Sequence, residues 1–262
     1  MEKRVEILNQ LYNSQDENGR LCNSRHGQLE YMTTMHFIHK FLQPESKIIE
    51  IGAGTGRYSV KLGQEGYDVT ALELVESNLK VMKQNIGFLK NVNAIQGDAL
   101  DLSRFKDNSF DVTLLLGPMY HLFREEDQHK ALDEAIRVTK AGGVIFVAFL
   151  SVHGVLYSNF LKGNFDAGLK INLDENYKPM HFENQVFTAF EVSDFEKLFK
   201  NKAVKYITTA GTDSILELAE NRKDFKMGDH DFNEFYKYHI SCCERRELLA
   251  ASNHLLYVCK KM

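Results

Sequence analysis

The sequence predicts an α/β fold built on a doubly wound sheet of seven mostly parallel strands. Two observations predict it. Short apolar runs alternate with amphipathic stretches over residues 45–150, and the first apolar run leads directly into a glycine-rich loop at residues 52–56. The predicted strands lie near 47–51, 67–72, 92–96, 111–116, 143–149, 204–209 and 254–259.

Amphipathic segments lie between most of the first five predicted strands. Helices are expected near 56–64, 76–86 and 125–139, where apolar residues recur with helical spacing. Helices that connect parallel strands cover both faces of a sheet. A ligand crevice is therefore expected beyond the carboxyl ends of the first and fourth strands, where the strand order reverses.

The segment before the first strand, residues 1–44, is predicted to be helical. Apolar residues show helical spacing within 6–12 and 28–42, and the Asn18-Gly19 pair between them is a turn signal. We expect this segment to form a helical arm that caps the ligand site.

The chain after the 45–150 core is predicted to complete the sheet. Residues 151–262 hold the last two predicted strands and a helical insertion at about 213–253, which is expected to cap the substrate. Residues 151–190 show no clear periodicity. A further helix is predicted over 192–202, with Ser193 as its N-cap.

Composition limits the possible functions. The chain has 262 residues, 44% of them hydrophobic, enough for one large domain. A net charge of −4 with scattered Lys and Arg argues against nucleic acid, whose partners carry a basic surface. The sequence shows neither a signal peptide nor an apolar segment of membrane length, so a cytoplasmic protein without a membrane partner is expected. The four cysteines form no C-x-x-C pair, and no metal site is expected.

The residues around the glycine loop discriminate between cofactors. A dinucleotide-binding loop has glycine at the third spaced position, which is Arg57 here. Glu50, just before the loop, would repel a pyrophosphate but attract the ammonium and sulfonium groups of S-adenosylmethionine (SAM). The loop therefore favours SAM over a nicotinamide dinucleotide.

The segment at residues 48–59 resembles motif I of the class I SAM-dependent methyltransferases. Four later segments resemble further motifs of this family in the expected order, at residues 68–73, 96–99, 111–122 and 138–147. The Gly-Pro-x-Tyr-His-Leu run that begins at Gly117 is similar to motif IV of a group of small-molecule methyltransferases. The resemblance implies a Rossmann-like sheet with an antiparallel last strand, SAM as cofactor and S-adenosylhomocysteine as product.

The resemblance also implies a set of cofactor-binding residues. Glu73 would accept hydrogen bonds from both ribose hydroxyls, Asp98 would hold the adenine amino group, and Ala99 would contact the ring edge. A plain turn at the glycines, a solvated strand end at Glu73 and a helix N-cap at Asp98 are the structural alternatives. The implied residues are Glu50, Gly52, Ala53, Gly54, Gly56, Tyr58, Glu73, Leu74, Asp98, Ala99, Leu116 and Gly117.

The residues after Gly117 include candidates for catalysis. His121 is a candidate general base, because the unperturbed pKa of histidine lies near neutrality, and the alternative is a capping or packing role. Tyr120 is the second candidate, with a core aromatic as its alternative. The candidates for substrate contact are Arg25, Tyr31, His153 and His239. Arg25 and Tyr31 are also candidates for the carboxylate of SAM.

The leading functional hypothesis is methyl transfer from SAM to an O or N of a small-molecule acceptor. Gly117 stands where methyltransferases that modify base amines carry Asn or Asp, and no cysteine lies nearby for attack on a pyrimidine ring. The alternatives are an RNA methyltransferase and a SAM-binding protein without catalysis. The sequence is compatible with a monomer and with a homodimer.

Overall fold

The computed structural model describes residues 2–14, 17–183 and 185–262. The strands are β1 (Lys47–Ile51), β2 (Asp68–Glu73), β3 (Val92–Gln96), β4 (Phe110–Leu115), β5 (Thr139–Ser151), β6 (Ala189–Phe190), β7 (Val204–Gly211) and β8 (His254–Lys261). The helices are α1 (Glu2–Asn13), α2 (Arg25–Phe41), α3 (Arg57–Gln64), α4 (Glu76–Ile86), α5 (Glu125–Val138), α6 (Val152–Leu161), α7 (Phe165–Asn172), α8 (Val192–Lys197), α9 (Leu216–Glu220), α10 (Asp229–Cys242) and α11 (Arg246–Leu249). A 3-10 helix spans Pro118–His121.

The strands form one sheet in the order β3-β2-β1-β4-β5-β8-β7, and the short β6 pairs with the end of β5. Neighbouring strands from β3 to β5 are parallel, whereas β8 runs antiparallel to both β5 and β7. The predicted fold class, including the antiparallel last strand, is confirmed. Because the strand order reverses between β1 and β4, a crevice opens at the carboxyl ends of these strands.

Apolar side chains cover both faces of the sheet. Along β1, Ile48 packs into one buried cluster together with Phe146, while Ile49 and Ile51 pack into a second cluster together with Phe149. Successive side chains of a strand point to opposite faces, so this alternation places a core on each side. The apolar clusters on the two faces hold the sheet in place, so the carboxyl ends of its parallel strands have a fixed position.

Two helices, α6 and α7, lie in the segment where the sequence showed no periodicity. Ser151 caps α6, because its hydroxyl accepts a hydrogen bond from the backbone N–H of Gly154. Apolar residues occur on both sides of α6, with Leu156 buried and Phe160 63% exposed. Its apolar positions therefore do not mark one face, and spacing alone did not reveal the helix.

The prediction that Ser193 caps the following helix is wrong. Glu191 occupies the N-cap position and makes no side-chain capping bond, and Ser193 lies inside α8. The helix ends at Lys197, and turns replace its predicted second half. Ser193 is the second residue of the helix that it was expected to cap, and Glu196, its expected capping-box partner, lies near the end of that helix.

The N-terminal segment approaches the site from the side opposite the sheet. Helix α2 packs against α9 and α10, and α1 packs against α4.

A search of the described helices for one with the length and apolar character of a membrane span finds none.

Candidate cofactor and acceptor site

A cavity of about 280 Å³ lies beyond the carboxyl ends of the neighbouring strands β1 and β4. Residues that follow the carboxyl ends of β1 to β4 line one side of it, and residues of α1 and of the segment 17–21 line the other. The predicted cofactor residues on its wall are Glu50, Gly52, Ala53, Gly54, Tyr58, Glu73, Leu74, Asp98, Ala99, Leu116 and Gly117. Gly56 lies behind this wall, at the N-cap of α3.

The glycine loop is pressed between two neighbouring elements. Gly52 has φ +74°, and a Cβ there would lie 2.6 Å from Cδ of Pro118. Gly56 has φ +83°, and a Cβ there would lie 2.7 Å from Cγ of Met82 on α4. Both positions combine a left-handed backbone with close packing, so only glycine fits them without movement of a neighbour.

Glu73, the last residue of β2, is fixed by two backbone amides. Its Oε2 accepts a hydrogen bond of 2.7 Å from the N–H of Gly54, and its Oε1 accepts one of 2.8 Å from Val75. Burial raises the pKa of this carboxyl group. Each oxygen keeps a lone pair for a further donor, which is the arrangement that two adjacent hydroxyls of a ribose require.

Glu50, at the end of β1, is a buried carboxylate without a cationic partner. One of its oxygens, Oε2, accepts hydrogen bonds from the backbone N–H of Ser59, at 3.0 Å, and from the Ser59 hydroxyl. Burial raises its pKa to about 7. No side chain in the described part of the chain forms an ion pair with Glu50, so a cationic ligand in the cavity would compensate its charge.

Asp98 combines a structural contact with a position on the cavity wall. Its Oδ1 accepts a hydrogen bond of 3.0 Å from the N–H of Leu100, which stabilises the turn after β3. Its Oδ2 forms an ion pair with Arg4 of α1. No described helix starts at Asp98, so the helix N-cap that the sequence left open is not found, whereas this turn contact is geometrically compatible with a ligand role.

His121 lies on the cavity wall with both ring nitrogens occupied. Nδ1 donates to the carbonyl of Val186 at 2.7 Å, so Nε2 accepts the hydrogen bond of 2.9 Å from the hydroxyl of Tyr12. Burial lowers the pKa of His121 to about 4. The ring is neutral near physiological pH, and its accepting nitrogen is already engaged, so the geometry favours a positioning role over that of a general base.

Tyr120 also lines the cavity, and its hydroxyl is buried without a hydrogen-bond partner among the described residues. Buried hydroxyls usually have such a partner, and Tyr120 therefore has capacity for a ligand or for water. Burial raises its pKa well above the usual value. The phenol stays protonated and is available as a donor.

A group of charged side chains that the sequence did not single out lies at the far end of the cavity, with Glu17, Arg20 and His254 on the wall and Glu30 and Asp213 buried behind them. We call it the ionic cluster, and it consists of Glu17, Arg20, Glu30, Asp213 and His254. Arg20 contacts Glu30 at 2.8 Å and Glu17 at 3.0 Å. Nδ1 of His254 lies 2.7 Å from Asp213 and 3.8 Å from Glu30. Although burial opposes protonation, Glu30 and Asp213 raise the pKa of His254 to about 9.

The four residues predicted to contact substrate do not line this cavity. Arg25 is bound to Asp229 at 2.5 Å and joins the start of α2 to α10. His153 pairs with Glu191 at 3.0 Å, His239 is buried, and Tyr31 packs against Tyr58 with ring centroids 5.3 Å apart. The arginines of the cavity wall, among the described residues, are instead Arg4, Arg20 and Arg57.

Comparisons with known proteins agree with this geometry. Residues 49–147 match the family model described as a methyltransferase domain. This range contains the glycine loop and every strand from β2 to β4. The matched residues also include the cavity-wall carboxylates Glu50, Glu73 and Asp98.

Curated relatives share part of the chain. The demethylmenaquinone methyltransferase of Renibacterium salmoninarum is 39% identical over 109 residues, which are 41% of this chain and 43% of that protein. The enzyme of the same name from Staphylococcus epidermidis is 37% identical over 119 residues, 44% of this chain and 45% of its own. The chain thus matches less than half the length of these relatives.

Solved structures show the same fold over most of the chain. A SAM-dependent methyltransferase from Thermotoga maritima, described as a possible histamine N-methyltransferase, has a TM-score of 0.61 at 16% identity and covers 99% of this chain and 100% of its own. A SAM-dependent methyltransferase from Methanosarcina mazei has a TM-score of 0.54 at 17% identity, with coverage of 86% and 97%. These structures show that the chain shares the fold of SAM-dependent methyltransferases, and the domain match identifies residues 49–147 as similar to a methyltransferase domain.

Proposed function

We propose that this protein transfers the methyl group of SAM to an O or N of a small-molecule acceptor. The observation that carries the proposal is Glu50, a buried carboxylate without a cationic partner beside the glycine loop. A dinucleotide would bring phosphates to this position, whereas SAM brings an ammonium group and a sulfonium. The fit of the site is therefore electrostatic as well as steric.

The remaining cavity residues suit the other parts of SAM. Glu73 offers two fixed oxygens to the ribose hydroxyls, and Asp98 and Ala99 stand where the adenine would lie. SAM supplies a methyl group on a sulfonium, which is a good leaving group. The chain's own contribution is to hold the acceptor in line with that methyl group and to exclude water with α1 and the segment 17–21.

The relatives give little information about the acceptor. Their names make a quinone of the demethylmenaquinone type one possible acceptor, but the matched stretch is only 41% of the chain. A small molecule is favoured over RNA because the net charge is −4 and the ionic cluster behind the far end of the cavity has three carboxylates, two of them buried, against two cations.

Calorimetric titration with SAM, S-adenosylhomocysteine and NADH tests the cofactor. We expect binding of the first two alone. Glu73→Gln should weaken S-adenosylhomocysteine binding roughly 10- to 100-fold, because a buried acceptor for a ribose hydroxyl is lost. Glu76→Gln, an exposed glutamate three residues later, is the matched control and should bind as the parent does. A preference for NADH, or no binding, would contradict the proposal.

Methyl transfer itself is tested by screening acceptors with methyl-labelled SAM. Turnover of small molecules but not of bulk RNA supports the proposal. Label found in RNA would favour the RNA methyltransferase. Tight SAM binding without turnover of any acceptor would favour a SAM-binding protein without catalysis.

A further inference from the structure

The antiparallel direction of β8 brings a histidine to the edge of the sheet that borders the cavity. The parallel strands end at this edge, and β8 starts there, with His254 paired in register to Leu150 near the end of β5. Asp213 arrives at the same edge because it follows β7, whose last residue, Gly211, pairs with Leu255. Two residues 41 positions apart in sequence therefore meet beside the cavity.

Asp213 fixes the orientation of the His254 ring. Nδ1 of His254 lies 2.7 Å from Oδ2 of Asp213, and the backbone N–H of His254 donates to the same carboxylate at 3.2 Å. Asp213 is fully buried, whereas His254 lines the cavity. With Nδ1 engaged, Nε2 is the ring nitrogen left for a ligand, and it has no partner among the described residues.

The surroundings of His254 are rich in charge. Glu217 of α9 lies within 4.8 Å of both His254 and Asp213, measured between side-chain polar atoms. The rings of Tyr120 and His254 are 5.8 Å apart between centroids. The charged and titratable groups that face the ring, each from a different element packed against it, are Arg20, Glu30, Tyr120, Asp213 and Glu217.

We propose that His254, positioned by Asp213, is the general base for the acceptor, and that the acceptor carries an acidic hydroxyl of the phenol or enol type. The inference rests on the methyltransferase function proposed above and specifies the acceptor of that same site. It assigns the base to a residue other than His121, whose Nε2 is occupied by Tyr12.

The chemical step balances with this one residue. The acceptor O–H bond breaks and its proton passes to Nε2 of His254. The oxygen's electron pair forms the new bond to the methyl carbon, and the C–S bond breaks with its pair left on sulfur as a thioether. Solvent later removes the proton from His254, which returns the ring to its starting state.

A phenol matches this base better than an amine does. The pKa of His254 is raised to about 9, and phenols such as that of tyrosine titrate near 10, so the proton is shared between groups of similar basicity. An aromatic amine enters uncharged with a free lone pair on nitrogen and has no proton that titrates near this pH, so a base at His254 gives it no comparable activation. Methyl transfer therefore favours oxygen over nitrogen.

The test compares matched acceptors in protein already shown by calorimetry to bind SAM. The probes are 1-naphthol against 1-naphthylamine and catechol against 1,2-diaminobenzene, with methyl-labelled SAM and product analysis. We expect turnover of the phenols, with kcat/KM rising with pH through a midpoint near pH 9, where half of the His254 rings have lost their proton. His254→Gln should lower kcat/KM for the phenols about 10²- to 10⁴-fold and remove this pH dependence. His230→Gln, on the exposed side of α10, is the control and should change neither.

Variants of the two neighbouring carboxylates distinguish a positioning role of these residues from a purely structural one. Asp213→Asn should move the pH limb to lower values, because His254 loses a carboxylate that holds its proton. Glu30→Gln should move it in the same direction, and this variant remains informative if Asp213→Asn does not fold. A purely structural role would leave the limb in place.

Four results would overturn the inference while leaving SAM binding, and hence the proposed function, intact. They are turnover of the amines alone, no turnover of any phenol, an unchanged pH limb in the His254 variant, and loss of turnover on treatment with EDTA. The last would mean that these carboxylates hold a metal ion and not a proton.

Discussion

Glu50 carries a charge that the folded protein does not neutralise. Its pKa is raised to about 7 by burial, against an ordinary value of 4.5. Because the pKa of Glu50 is higher in the folded than in the unfolded protein, protonated Glu50 favours the folded state. This contribution is fully present below the unfolded pKa and is lost as the pH rises through 7. The ligand-free protein is therefore destabilised by ionised Glu50, and a cationic ligand reverses this.

The affinity for SAM should consequently depend on pH. Between pH 6 and pH 8, Glu50 loses its proton, and SAM binds the ionised form, so affinity should rise about tenfold over this interval. Titration calorimetry at pH 6, 7 and 8 measures it. Glu50→Gln should bind more weakly and show a flat profile, and a rise that survives in this variant would assign the effect to another group.

Single residues also show where sequence reasoning stops. Glu50, Glu73 and Asp98 were placed from motifs, because each lies at or just after the carboxyl end of a strand whose direction is known. Arg25 was chosen by residue type, yet Arg20, five positions earlier, lines the cavity. Which arginine faces the cavity depends on the packing of α2 against α9 and α10, and that packing is invisible in one sequence.

At the scale of elements, the glycine loop depends on what packs behind it. Gly56 starts α3 and lies against Met82 of α4, so helix, loop and cofactor wall form one packed unit. A side chain at this position would have to displace Met82, which is fully buried. The loop is therefore fixed by tertiary contacts as well as by the absence of a side chain.

Gly56→Ala should lower the free energy of unfolding more than Gly66→Ala does. Both glycines have positive φ, +83° and +96°, but a Cβ at Gly66 meets nothing within 4 Å. Gly66→Ala should cost about 1 kcal/mol of backbone strain. Gly56→Ala should add about 1–3 kcal/mol for crowding of Met82. Urea denaturation of the three proteins checks this, and equal losses would show that Met82 moves aside freely.

The elements differ in how well the sequence predicts them. The strands β1 to β4 start and end within one residue of prediction, because each is an apolar run bounded by turn signals. β5 begins four residues early and ends two residues late, since pairing with β4, β6 and β8 extends it. Helix α6 was missed because its apolar positions do not lie on one face, and α7 was missed because its eight residues give only two turns in which to recognise a spacing.

At the scale of the whole molecule, the cavity is assembled from the full length of the chain. The arm contributes Arg4 and Tyr12, the core contributes the glycine loop, and β8 contributes His254. The sequence predicted an arm that covers the site but named Arg25 and Tyr31 as its contacts, and neither lines the cavity. His254 could have been placed, because an antiparallel last strand must begin where the parallel strands end.

A ligand that binds across these parts should stabilise the whole fold. S-adenosylhomocysteine at about 100 times its dissociation constant should add about 2.7 kcal/mol, equivalent to a rise of roughly 5–10 °C in Tm. Differential scanning fluorimetry measures the shift. NADH at the same concentration should give none, and an equal shift with NADH would count against the cofactor assignment.

Helix α1 touches both ends of the cavity at once. Arg4 pairs with Asp98 on the side where the adenine is proposed to lie, and Tyr12 is bonded to His121 on the side of the acceptor. We expect α1 to move away before a nucleoside or a methylated product leaves past these contacts. Rapid-quench measurements should then show a fast first methylation per protein molecule, followed by slower turnover set by the exit of spent cofactor, and a linear time course from the start would contradict this.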